Sequence, residues 1–259
     1  MSEATVEKPT ESPIRRAVPG DRISTRAENT RRSVDTAHEI LTDEVLRTLH
    51  ARASGDEPDG GVLGAVAEDI ADLAAAGYLT AALPSGLGGR GSAVDEINRE
   101  QRTLAYWSPA AARAVTGHLS WIGAAADLYR SGDHRLAWLL HEAASGRVAE
   151  SVHGASGHPA NTEGSVKAVP VDGGYLFSGT AGDTPAAAAW HWLGVYARND
   201  TDPQGPNVVH AFVDRTAAGL HIREDATQLE NVFVAKDKVV ETVALGHRPG
   251  ATARLLPWR

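Results

Sequence analysis

Eleven histidines and no cysteine set the chemistry open to this chain of 259 residues. Without thiols there is no disulfide, no thiolate metal site and no cysteine nucleophile. His191 and His210 fall on predicted strands and could face each other. A metal centre needs more converging ligands than that spacing offers, so both read as exposed strand histidines. His118 follows Gly117 within a helical stretch, and a histidine capping a glycine-broken helix reads as structural. No Gly-x-Ser-x-Gly elbow occurs, and no nucleophile–base pair can be assembled from neighbouring residues. The run Pro84-Ser-Gly-Leu-Gly-Gly-Arg-Gly91 lacks the Gly-Lys-Ser/Thr ending of a phosphate loop; its glycines serve backbone turns.

The elements that must position these residues fall into two blocks. In the first, apolar residues recur at helical spacing: Val34, His38, Leu41, Val45 and Leu49, then Val66, Ile70, Leu73 and Ala74 up to Gly77. Ile97 and Leu104 mark a third helix between Ala93 and Tyr106, and Ser108-Pro109 restarts the next, which runs on through His118 to Arg130. Asp133 is a candidate N-cap for a last helix, which Gly146 closes. Near Val148 the period changes from helical to alternating. Val166–Val171, Tyr175–Ser178, Trp190–Ala197, Val208–Asp214, Leu220–Ile222 and Val232–Val234 are the expected strands. Trp190 and Trp192 alternate onto one strand face and are expected to cover a core. Asp172-Gly173-Gly174 joins the first two strands with residues suited to a tight turn.

The expected fold is therefore α+β: an all-helical domain over 33–147, then a small antiparallel β-barrel or sandwich over 148–240. Residues 1–32 and 241–259 read as tails. The formal net charge of −8 argues against a general nucleic-acid or anionic-membrane binder. No apolar run is long enough to span a membrane, and no apolar signal core opens the chain. A cytoplasmic location is the default expectation.

Six segments, in order over residues 34 to 240, resemble the acyl-CoA dehydrogenase family. They are Ala76-Gly-Tyr with Leu83-Pro-Ser-Gly-Leu-Gly-Gly-Arg-Gly; Gly117-His-Leu; Leu139 to Gly146; Val171-Asp-Gly-Gly-Tyr-Leu-Phe-Ser-Gly179; His210-Ala-Phe-Val-Asp with Ala218-Gly-Leu-His-Ile; and Asn231-Val-Phe-Val-Ala-Lys-Asp-Lys-Val. The resemblance implies a flavoprotein oxidoreductase with FAD as cofactor and an acyl-CoA or related small molecule as substrate, working as a homo- or hetero-oligomer. In that family a third part, a four-helix bundle, stacks on the flavin and usually carries the catalytic glutamate. Only Glu241–Arg259 follow the last matching segment, so no catalytic residue is assigned and a partner chain is expected to complete the site.

The resemblance places two flavin-contacting segments. The first is the loop holding Val152, His153 and Gly154, with His158 beyond it; the second holds Asp183 and Thr184. Both depart from the family pattern. Gly154 stands where a threonine belongs, and Pro159 supplies no amide. Asp183 replaces an aromatic, and a carboxylate there would oppose the negative charge of a reduced flavin. These departures keep two alternatives open: a non-catalytic pseudoenzyme or assembly subunit of the same fold, and a flavin-dependent monooxygenase of that fold.

Overall fold

A computed structural model describes residues 40–55, 61–151, 165–182, 186–223 and 226–246, all within one compact unit, Ile40–Arg259. Among the described residues there are five helices, α1 (Asp43–Ser54), α2 (Gly61–Ala75), α3 (Val94–Trp107), α4 (Pro109–Arg130) and α5 (Ala137–Ala144). Three of them start for a local reason. The Thr42 hydroxyl accepts the Val45 N–H at the head of α1. Glu96 reaches back to the Ala93 amide ahead of α3. Ser108 accepts the Ala111 N–H while Pro109 fills the first turn of α4, where its missing donor costs nothing.

Leu49, Leu73, Leu104 and Ile122 are shut away from solvent, each contributing about 1.5–3 kcal/mol by burial. A polar strut adds to this packing. Arg52 on α1 reaches Glu68 at 2.9 Å and Asp72 at 2.7 Å on α2, and also bonds the buried Asp69. One sequence-predicted cap fails. Asp133 binds the Arg135 N–H and side chain instead, and α5 begins only after Leu136. An Asx-type turn two residues long satisfied that carboxylate before a helix could.

Eight strands follow among the described residues: β1 (Ala149–Ser151), β2 (Val166–Val171), β3 (Gly174–Ala181), β4 (Trp192–Asn199), β5 (Asn207–Asp214), β6 (Leu220–Ile222), β7 (Thr227–Ala235) and β8 (Val239–Ala244). The architecture is α+β, with one hydrophobic core continuous through helices and sheet. The sheet runs β6-β7-β3-β2-β4-β5-β8, with β1 added to β4. Against expectation it is mixed: β1 and β2 both lie parallel to β4. Among the described residues it is an open path, with β6 and β8 at its ends. Alternating hydrophobicity is blind to strand direction, which is decided by how the connections cross over. Strands β1 and β8 were not anticipated. Three residues are too few to show a period, and β8 alternates too weakly against its charged Glu241.

The β2–β3 hairpin forms as read, with Val171 opposite Gly174 and Gly173 at φ 77° in the turn. Its inward face is carried by Val166, Ala168 and Phe177, whereas Val169 and Val171 look outward beside Phe233 of β7. No helix among the described residues is long and apolar enough to cross a membrane.

Candidate functional site

All five residues expected at a flavin, Val152, His153, Gly154, Asp183 and Thr184, lie outside the described residues, as does His158. The backbone on either side of them is described, and it draws the two segments to a common base. Segment 152–164 departs from β1 and returns at Ser165; segment 183–185 follows β3 and ends at Ala186. At one side, the Thr180 N–H donates to the Ser165 carbonyl at 2.9 Å. Gly179 makes this approach possible, at φ 139°: any Cβ there would collide with the Ser165 carbonyl and the Val166 Cα. At the other side, the Ala186 N–H donates to the Glu150 carboxylate at 3.2 Å.

Glu150 is a buried carboxylate on β1, only 1 % exposed. Such a group is retained only where hydrogen bonds replace its lost hydration. Beyond it, Arg215 grips the same turn, donating to the Ala187 carbonyl at 2.8 Å and the Trp190 carbonyl at 3.1 Å, with its guanidinium over the Trp190 ring. Burial holds the Arg215 pKa below its ordinary value. Residues 186–190 are thus fastened from both ends, by the Glu150 carboxyl and the Arg215 guanidinium. Sequence reasoning missed both. A glutamate in a three-residue strand and an arginine in a turn carry no periodic signal.

The helix-to-strand junction is fastened by histidines. His118, buried in α4, has Nε2 2.9 Å from the Leu79 carbonyl and Nδ1 3.1 Å from the Ala149 amide. A carbonyl can only accept and an amide N–H only donate, so the ring is neutral with its proton on Nε2. His118 is structural, as read. His191 and His210 are not the exposed strand pair expected. His191 precedes β4, half-buried, and its Nδ1 accepts the Val148 N–H at 3.1 Å. His210 is buried on β5, stacked on Tyr196 at 4.1 Å between ring centroids and 4.9 Å from Trp121. The strand register decides these placements. Trp190 is fully buried ahead of β4, but Trp192 is only half-covered, against Trp138 at 4.9 Å, and donates its Nε1–H to Glu142 at 2.7 Å. Lys238 sits over Trp138 at 4.4 Å. Among the described residues no cluster of three or more histidine or carboxylate side chains could hold a metal.

No protein-family model matches the chain, and no curated protein does. Solved structures match at the level of fold. KijD3 in complex with FMN and a dTDP-linked amino-keto sugar aligns with a TM-score of 0.65 at 18% identity, over 83% of this chain and 57% of that one. FMN-bound TdsC from Paenibacillus sp. A11-2, a dibenzothiophene monooxygenase, aligns at 0.61 with 19% identity, over 77% and 52%. The methanesulfinate monooxygenase MsuC from Pseudomonas fluorescens aligns at 0.60 with 17% identity, over 86% and 58%. The chain spans between half and three-fifths of the length of these neighbours. Over the aligned residues its fold is the one these neighbours share.

Proposed function

We propose that this chain is a flavin-binding oxidoreductase component of the monooxygenase type, with FMN rather than FAD as its flavin. The supporting observation is the common base of the two segments assigned to the flavin, built by Thr180–Ser165 and Ala186–Glu150 on a fold shared with FMN-bound structures. In this reading residues 33–147 and 148–240 act as helical and strand domains. The backbone at Val152, His153 and Gly154 meets the flavin from one segment, and Asp183 and Thr184 meet it from the other. The described residues fit that task as a frame: Glu150 and Arg215 hold the chain on which the second segment ends, and Gly179 lets the two roots touch. A bound flavin would supply the electron transfer. Dehydrogenation of an acyl-CoA has less support, because the ligands seen with flavin in the neighbours are indole and a nucleotide sugar. Association into oligomers belongs to the same proposal, supported by the outward Val169, Val171 and Phe233.

Titration of FMN and FAD with the purified chain, followed by quenching of flavin fluorescence, tests the reading. Saturable quenching by FMN, weakened in Glu150→Ala, is expected. No quenching by either flavin ends the proposal. Oxygen uptake with chemically reduced FMN, against flavin alone, then separates monooxygenase chemistry from a binding role.

A further inference from the structure

We infer that His118 and His191 form an acid-sensitive latch on β1: the two imidazoles accept consecutive backbone amides, and protonation of either ring releases the strand. This deepens the flavin reading as a regulation of its frame, but its geometry stands independently.

The chain crosses from helix to sheet at Val148-Ala149, and two side chains from remote elements receive it there. The Val148 N–H donates to His191 Nδ1 and the Ala149 N–H to His118 Nδ1, each at 3.1 Å. The His191 backbone closes the first contact, donating its own N–H to the Val148 carbonyl at 2.7 Å. The His118 ring closes the second by donating Nε2–H to the Leu79 carbonyl. Both acceptors are therefore bare ring nitrogens. A proton added at either Nδ1 would set N–H against N–H, turning an attraction into a repulsion.

Val148 and Ala149 are 3% and 1% exposed, so their amides would stay buried and unpaired. Among the described residues the ladder of strand β1 is three residues alongside β4. The charges around the latch are few. Burial pushes the His118 ring down to about 4, the bond to Leu79 opposes this, and the nearby His191 ring adds to it. His191 is lowered by burial first, then by Arg147 and Arg215, against the opposing pull of Glu142 and Asp214. The half-buried His191 is therefore the first to yield as pH falls, and its charge further disfavours a second proton on His118. Release of β1 carries Glu150 with it, and so the tie to Ala186.

Amide hydrogen exchange of the full chain between pH 8 and pH 4.5, corrected for intrinsic exchange, reads the latch directly. Val148 and Ala149 are expected to lose protection at a higher pH than Val195 and Ala211 in the paired strands β4 and β5. Nitrogen-15 spectra of the imidazoles are expected to show the Nε2–H tautomer at His118. His191→Asn places a non-titrating amide oxygen near the Nδ1 position and should lower the pH of release. Release of all four amides together, an Nδ1–H tautomer at His118, or an unchanged midpoint in His191→Asn each overturns the latch. None of these measurements needs a flavin. A chain that binds none would therefore end the flavin reading while leaving the latch to its own result.

Discussion

The β2–β3 turn and the α5–β1 junction are both short, and they are held by opposite means. At the turn, Val171 faces Gly174 across two residues, and Gly173 alone supplies the special backbone angle. At the junction, the ties to Val148, to Ala149 and from Glu150 reach 43, 31 and 36 residues along the chain. The turn can form early and tolerates wet surroundings. The junction is complete only when α4, β1 and β4 are all in place. A segment that carries function gains rigidity from such remote ties and inherits their sensitivity to every partner.

The largest effect should come from placing a side chain on Gly179 of β3, the strand that leaves the turn. Gly179→Val drives a branched side chain into the Ser165 carbonyl and Val166 backbone, and a loss above about 4 kcal/mol is expected. Gly173→Ala meets only the tip of Phe233 at 3.9 Å and pays for its positive φ alone, about 1 kcal/mol. Urea midpoints decide; equal losses in the two variants would break the comparison.

His118→Ala should rank next. It strands the Ala149 amide and the Leu79 carbonyl in the interior, at a cost of about 3 kcal/mol. Calorimetry should show a transition lowered well beyond that of a surface His→Ala such as His221→Ala.

The same ring fixes a pH dependence. Its folded-state value, about 4, lies below the ordinary 6.5, so between those values the unfolded chain binds a proton that the folded chain refuses. Stability is full above about pH 6.5 and falls by about 1.4 kcal/mol for each unit toward pH 4. His191, also lowered, steepens the fall. Urea unfolding across this window should show the slope, and a flat profile from pH 7 to pH 5 would refute it.

Arg215→Met keeps the packing on Trp190 but removes the bonds to the Ala187 and Trp190 carbonyls. A loss of about 1–2 kcal/mol is expected, with faster amide exchange concentrated at residues 186–190. Smallest of all, Val169→Thr with Phe233→Thr alters only outward positions of the hairpin sheet. Unfolding should move by no more than about 0.5 kcal/mol, while light scattering shows reduced self-association. A large destabilisation would mean that this face is packed within the single chain.

The comparison also separates what the linear pattern could carry from what it could not. Ile97 and Leu104 are buried on α3 as their spacing required. Ser108-Pro109 opens α4, and β2 and β6 occupy the residues read for them. Each of those signals is local: a period, a cap, or a turn residue acting over a few neighbours. His191 and His210 were placed on plausible elements and given the wrong environment. Their burial depends on which strand lies beside β4 and what packs over β5, and neither is encoded nearby. Glu150 and Arg215 gave no signal at all, because such polar ties are recognised only by their partners.

The helical block, its passage into strands, and the hairpin with its turn were settled by residues acting on their immediate neighbours, and the absence of thiol chemistry by composition. The mixed pairing around β4, the neutral histidines at Val148 and Ala149, and the shared base of segments 152–164 and 183–185 required the folded chain. Hydrogen bonds and desolvation act through space, and only packing brings partners more than thirty positions apart to within 3.2 Å.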